Sequence, residues 1–121
     1  VMEHVMHPQK AFSEIGRVLK PGGSHIFTIP WYGELSKSRP RVIEEDGKLN
    51  YLMDAEYHGT EEYNGPHEYH GPYLVTWDWG RDIAQYIFEA SGMHTTINRV
   101  QDRSIGLDGR FLEAFISQKP H

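Results

Sequence analysis

The chain has 121 residues, a net charge of −5 and no cysteine. This length allows one domain at most, and the lack of cysteine excludes disulfides, thiolate zinc sites and a cysteine nucleophile. Lys and Arg are scattered, so no basic surface for nucleic acid is expected. Because the sequence has neither an apolar run of membrane-spanning length nor a signal segment at its start, it predicts a cytoplasmic protein without a membrane partner.

The first predicted elements are a helix and a strand joined by a tight turn. Pro8 suits the first position of a helix, and KPGG at residues 20–23 ends it. The run SHIFTI, from Ser24 to Ile29, predicts a strand that Pro30 closes. A helix that leads into a strand in this way is half of a parallel crossover unit. The apolar face of the helix, at three- and four-residue spacing, consists of Ala11, Phe12, Ile15, Val18 and Leu19.

Residues 31–75 have few consecutive apolar residues and many Tyr, His and Gly. Irregular connections of this length are either functional lids or disordered, so we predict a lid-like insertion rather than a regular layer. We also expect residues 34–72 to be the most mobile part of the chain. The tetrapeptide EYHG occurs in it twice, which is too few copies for a repeat architecture.

The remaining sequence predicts a helix followed by two strands. Asp78 is expected to cap the helix, and Ser91-Gly92 ends it. The strands are Met93–Val100 and Arg110–Gln118, and their short connection makes them antiparallel neighbours. Trp77 and Trp79 flank Asp78 and should lie on the same side of an extended segment, anchoring the lid. The apolar stripe of the helix is formed by Ile83, Ala84, Ile87, Phe88 and Ala90.

Two motifs stand in a fixed order around the first helix. Glu3-His4-Val5 precedes it, and Arg17-Val18-Leu19-Lys20-Pro21-Gly22-Gly23 ends it. This order and spacing resemble the segment before the fifth strand of class I S-adenosylmethionine-dependent methyltransferases of the type 11-like group. The segment from Leu74 to Met93 is similar to the helix before that family's sixth strand, and FLEAFISQKP is similar to its seventh, antiparallel strand. The resemblance implies an α/β fold.

In that fold, residues 1–121 form a single partial domain, the C-terminal part of a Rossmann-like sheet. It contains strands five, six and seven, two helices and the lid insertion. The family binds S-adenosylmethionine through a glycine-rich turn and an acidic residue that follow its first two strands. The chain has twelve glycines. No two of them are separated by a single residue, so the chain has no G-x-G turn.

The resemblance and this missing turn predict the C-terminal half of a methyltransferase. The complete parent would transfer a methyl group from S-adenosylmethionine to a small molecule, whereas this chain alone would bind the cofactor weakly or not at all and be inactive. The alternative is a non-catalytic remnant that pairs with itself or with another chain. Without a fourth strand, the Ser24–Ile29 strand has an open edge, which predicts a homodimer.

Glu3 and His4 are the predicted catalytic residues, because the resemblance places them near the methyl donor and the acceptor. Histidine exchanges its proton near neutral pH, so His4 suits a general base. The alternative is that both residues only cap or orient the following helix.

Trp31 and Tyr32 are predicted to bind substrate, because they follow the first strand at the same edge. Their rings would wall a substrate pocket or stack on a cationic methylsulfonium, or else pack under the lid.

Three lid histidines, His58, His67 and His70, are also predicted to face the substrate. In HEYH, two imidazoles flank Glu68, a combination that metal sites use. The spacing is not that of a helical metal motif, however, and the neighbouring Gly-Pro pairs indicate a loop. The sequence therefore predicts no metal site.

Overall fold

Two helices and a three-stranded antiparallel sheet form the principal layers. The computed structural model describes residues 1–59 and 73–121. The helical elements are a 3₁₀ turn (Met2–His4), α1 (Pro8–Val18), α2 (Ile83–Ser91) and a second 3₁₀ turn (Arg103–Ile105). The strands are β1 (Ser24–Phe27), β2 (Arg39–Pro40), β3 (Val42–Glu45), β4 (Lys48–Tyr51), β5 (Tyr57–His58), β6 (Tyr73–Leu74), β7 (Trp77–Asp78), β8 (His94–Arg99) and β9 (Glu113–Gln118).

The main sheet has the order β1-β9-β8, and β9 is antiparallel to both neighbours. Ile116 of β9 lies between Ile26 of β1 and Thr96 of β8. The prediction that the last two strands are antiparallel neighbours is therefore confirmed. The chain is a mixed α/β protein with antiparallel sheets, and its membership of a larger Rossmann-like sheet stays a prediction.

The core lies between the helices and one face of the main sheet. Phe12 of α1 packs edge to face with Trp79, and their ring centroids are 5.9 Å apart. Gly16 of α1 allows a close approach to α2, since a Cβ at this position would lie 3.1 Å from the Cβ of Ser91. The buried apolar residues of this cluster are Met2, Phe12, Ile29, Trp79, Ile83, Ile87, Met93 and Phe115.

The helix boundaries follow the residues that start and stop them. Pro8 is the first residue of α1, as predicted, and α2 ends at Gly92, whose φ of 73° is left-handed. Val18, expected on the apolar face, is instead 64% exposed at the last position of α1, whereas Ala11, Ile15 and Leu19 pack against the core. No helix in the described part of the chain is long and apolar enough to cross a bilayer.

Asp78 is not the cap of α2, which corrects the sequence prediction. The N-cap of α2 is Asp82, whose Oδ1 accepts hydrogen bonds from the backbone N–H and the hydroxyl of Ser38. Asp78 is instead buried in β7, where it pairs with arginines of the insertion. Trp77 and Trp79 lie on the same side, as expected, with their rings stacked at 5.3 Å.

The insertion contains more regular structure than predicted. β3 and β4 form a hairpin, and β2 pairs with β7 across a long stretch of sequence. Asp46 and Gly47 both have positive φ at the hairpin turn, which is the requirement of a tight two-residue β-turn. The mobility expected for residues 34–72 stays a prediction, and His67, His70 and the second EYHG lie outside the described residues.

Candidate functional site

The predicted catalytic pair lies beside His58 of the insertion. Glu3 and His4 are on the first 3₁₀ turn, and His58 is on β5. Oε1 of Glu3 is 3.5 Å from Nε2 of His4 and 3.9 Å from Nδ1 of His58. The two imidazole rings meet edge to face, with centroids 4.9 Å apart. The structure thus joins one of the three predicted lid histidines to the pair, forming a Glu3–His4–His58 cluster.

Backbone hydrogen bonds hold the cluster in place. Nδ1 of His4 lies 2.8 Å from the carbonyl oxygen of Leu74. A carbonyl only accepts, so Nδ1 must carry the proton and the lone pair of the neutral ring is on Nε2. The buried Thr76 donates its backbone N–H to the Glu3 carbonyl at 2.7 Å and its hydroxyl to the Val5 carbonyl at 2.7 Å. The 3₁₀ turn is thereby fixed to the segment that leads into β7.

Glu3 is buried, and its two carboxylate oxygens have different surroundings. Oε2 accepts a hydrogen bond from the Val1 ammonium at 2.8 Å, whereas Oε1 faces the two imidazoles. Burial alone would raise the pKa of Glu3, but the hydrogen bond from the ammonium and a backbone hydrogen bond together hold the pKa below its usual value. Glu3 is therefore a carboxylate at neutral pH, and its Oε1 presents a negative charge to the two imidazoles.

A polar pocket of about 220 Å³ includes Tyr32 in its wall, together with Glu56, which is two positions from His58. Asp78 accepts hydrogen bonds from Nε of Arg39 at 3.0 Å and from Nη1 of Arg41 at 2.9 Å. Glu56 lies 3.3 Å from the same Nη1. Burial raises the pKa of Tyr32, and the charges of Glu56 and Asp78 raise it further, so its hydroxyl stays protonated. The pocket therefore offers hydrogen-bond donors and acceptors rather than an apolar surface.

Trp31 has a different position from Tyr32. Its Nε1 donates to the Gly80 carbonyl at 2.8 Å, and its ring packs edge to face on Phe115. It borders a separate groove with Arg110 and Phe111 rather than the Tyr32 pocket. These contacts favour packing as the role of Trp31, and its contact with a substrate stays a prediction.

The sequence-based site did not include the arginines and acids of the pocket. Arg39 and Arg41 are two residues apart in an extended segment, a spacing that places both side chains on one face. This spacing was a usable signal in the sequence. Nothing local, however, indicated Asp78 as their partner, because it is 37 residues from Arg41.

A comparison with known proteins finds similarity at the start of the chain. Residues 1–27 match a family model described as a methyltransferase domain. No curated protein and no solved structure gives a significant match to the chain. The matched residues include the Glu3–His4 pair, α1 and β1. This match supports a methyltransferase-like domain.

The methyltransferase domain family generally uses S-adenosylmethionine, but the described residues do not fit it as a complete site. Neither α1 nor α2 begins after a glycine-rich turn: they follow His7 and Asp82. The described glycines with positive φ lie elsewhere, at turns and at the ends of helices. The backbone of this part of the chain therefore lacks the close approach that such a turn gives to the cofactor.

Proposed function

We propose that this chain forms the acceptor side of an S-adenosylmethionine-dependent methyltransferase that acts on a small molecule in the cytoplasm. The observation that carries the proposal is the match of residues 1–27 to the methyltransferase domain, since this stretch includes the Glu3–His4 pair. The chain corresponds to the C-terminal half of that domain. The cofactor is bound mainly by the N-terminal half of the parent protein.

His4 acts as the general base in this proposal. Its Nε2 takes the proton of an acceptor hydroxyl, while its Nδ1–H stays bonded to the Leu74 carbonyl. The Glu3 carboxylate, 3.5 Å from Nε2, stabilises the imidazolium that results. The role of Glu3 is therefore electrostatic, and it depends on the carboxylate remaining ionised. In the parent protein the nitrogen of Val1 belongs to a peptide bond, so the ammonium no longer favours the ionised form and the backbone hydrogen bond of Glu3 does so.

The polar pocket binds the acceptor. Tyr32 donates a hydrogen bond, and Arg39, Arg41 and Glu56 line the wall. Glu56 is two residues from His58, whose ring meets that of His4 edge to face, so the pocket is connected to the base through β5. A polar acceptor such as a phenol or a sugar matches this lining better than a hydrocarbon does.

Methyl transfer by the parent protein tests the proposal. The reading frame upstream of Val1 would be expressed together with this chain, and labelled S-adenosylmethionine would be offered with a panel of hydroxylated small molecules. We expect His4→Gln to lower kcat by about 10²- to 10⁴-fold, the usual contribution of a general base. His7→Gln is the control, because His7 is exposed and lies outside the cluster.

Two results would contradict the proposal. Equal activity of the His4→Gln and His7→Gln proteins would show that His4 is not the base. A stop codon or an unrelated gene upstream of Val1, together with no transfer by the chain, would favour a non-catalytic protein.

Cofactor binding by the chain alone is a separate measurement. We expect calorimetry to show no binding of S-adenosylmethionine, or a Kd weaker than about 10 μM, equivalent to about −7 kcal/mol. Tighter binding would contradict the assignment of the cofactor site to the missing half.

A self-associating, non-catalytic protein is the second candidate, and the main sheet favours it. β1 is an edge strand whose outer side has no partner strand within residues 1–59 and 73–121. Its Ile26 is 68% exposed, opposite the face that packs on the helices. An open strand edge with an apolar side chain is a template for a second copy of the chain, so a homodimer through this edge is proposed.

Sedimentation over a dilution series tests the dimer. Ile26→Lys should shift the chain to a monomer, because two copies would bring the lysines together at the paired edges. Ile105→Lys is a matched control, since Ile105 is also 68% exposed but lies outside the sheet. A folded wild-type chain that is monomeric at every concentration would exclude pairing through β1.

A further inference from the structure

We propose that Glu3, His4 and His58 form a binding site for a divalent transition-metal ion, of which Zn²⁺ is the best candidate. The site rests on the geometry of the three side chains and does not depend on methyl transfer. It shares only His58 with the three lid histidines, His58, His67 and His70, for which the sequence predicts no metal site.

The spacing of the three donors fits one ion. One ligand atom from each residue lies within 4.8 Å of the other two. Two of the separations are 3.5 Å and 3.9 Å. Tetrahedral Zn²⁺, with ligands at about 2.0 to 2.2 Å, places its ligand atoms about 3.4 Å apart. Small side-chain rotations are therefore enough to bring the three atoms into coordination.

The surroundings of the cluster prepare it for a metal. The bond from Nδ1–H of His4 to the Leu74 carbonyl leaves the Nε2 lone pair pointing towards Glu3. A backbone carbonyl in this position orients and polarises the histidines of many metal sites. Thr76 fixes the backbone of Glu3, and Oε1 of Glu3 faces the two imidazoles rather than the Val1 ammonium. One carboxylate oxygen is thus available without breaking the existing ion pair.

The donor set selects the class of ion. Two imidazoles and one carboxylate suit Zn²⁺ and its neighbours Co²⁺ and Fe²⁺, whereas Mg²⁺ and Ca²⁺ prefer sites made of oxygen atoms alone. Three protein ligands leave a fourth position of a tetrahedral ion open. A water molecule or an oxygen of a bound small molecule would occupy that position.

Metal binding and the base role of His4 both use the Nε2 lone pair, so one molecule can have only one of the two at a time. The failure of one proposal can nevertheless be told from the failure of the other. Metal binding is measured on the chain without cofactor or acceptor, and its absence leaves methyl transfer untouched.

Titration of the untagged chain tests the site. We expect Zn²⁺ to bind with a stoichiometry of one by calorimetry and to raise Tm. Co²⁺ should give the visible absorption of a tetrahedral site, and Zn²⁺ should abolish it. Glu3→Gln, His4→Ala and His58→Ala should each weaken Zn²⁺ binding by at least about 100-fold, since even loss of a residue that only supports a ligand costs 10- to 100-fold. His94→Ala is the control, because His94 is exposed on β8, outside the cluster.

The outcomes separate this site from others. His58 is on a two-residue strand and partly exposed, so His58→Ala should leave the fold intact, and circular dichroism would verify this. Unchanged Zn²⁺ affinity in folded His58→Ala and Glu3→Gln proteins would overturn the proposal. A Kd for Zn²⁺ weaker than about 100 μM, or an equal affinity for Mg²⁺, would also overturn it. So would a loss of Zn²⁺ binding that only the double variant His67→Ala with His70→Ala produces.

Discussion

The helix–sheet layer and the insertion are held together by different kinds of contact. In the layer, Phe12, Ile83 and Phe115 are fully buried and belong to one cluster of apolar side chains. In the insertion, the arginines of residues 39–41 are tied to Asp78 by ion pairs at 2.9 and 3.0 Å. The layer is held mainly by buried apolar volume, whereas the insertion combines a few buried apolar side chains with ion pairs to one buried carboxylate. Substitutions should therefore act differently in the two regions.

The largest expected effect is in the layer. Phe12→Ala should lower the free energy of unfolding by about 3 to 5 kcal/mol, because it removes a fully buried ring and leaves a cavity beside Trp79. Val18→Ala, on the same helix, is the control and should change it by less than about 0.5 kcal/mol, since Val18 is mostly exposed. Urea denaturation measures both. A similar cost for the two variants would show that the predicted apolar face, rather than burial, sets the stability of α1.

A smaller loss is expected when the charge that ties the insertion is removed. Asp78→Asn should cost about 2 to 3 kcal/mol, because the mostly buried Arg41 then loses its buried charged acceptor and keeps Glu56 and the Asp54 carbonyl. The matched control is Asp108→Asn, whose partner Arg103 is 2.8 Å away but largely exposed. It should change the free energy of unfolding by less than about 1 kcal/mol. Equal losses in urea denaturation would mean that burial does not distinguish the two pairs.

The smallest effect concerns pH and the edge strand of the layer. Burial lowers the pKa of His25, whose ring stacks on Phe27. The unfolded chain therefore binds a proton at a higher pH than the folded chain, and stability falls as the pH drops below the ordinary histidine value. His25→Phe keeps the stacking and removes this proton, so its stability should fall less between pH 7 and pH 5. His94→Phe, at an exposed position, should retain the wild-type slope. If stability falls by the same amount between pH 7 and pH 5 in all three proteins, the attribution of this pH dependence to His25 is contradicted.

The helix–sheet layer is well predicted from the sequence, because its helix ends and its strand connection are each set by residues that are close together in the chain. Pro8 starts α1, Gly92 ends α2, and the short connection before β9 makes the last strands antiparallel, each as expected. The insertion is harder, because its partners are distant in sequence. The sequence predicts Asp78 as a helix cap, whereas in the structure it pairs with Arg39, which is 39 residues away.

The candidate site shows the same division. Glu3 and His4 could be selected from their motif, since they are adjacent and precede α1. The inclusion of His58 could not be predicted, because it depends on how β5 and β6 pair and carry the ring to Oε1 of Glu3. No periodicity encodes that approach. Sequence reasoning selected His58 by residue type alone.

The central position of β9 has a consequence for synthesis. β1 and β8 both leave the ribosome before the strand that joins them, and Lys119, just after β9, bonds to the Leu19 carbonyl 100 positions earlier. Until β9 emerges, β1 and β8 therefore lack the strand that pairs with both of them, and exposed strand edges favour misassembly during this period. A chain whose synthesis ends before Glu113 would lack β9, the central strand of the main sheet.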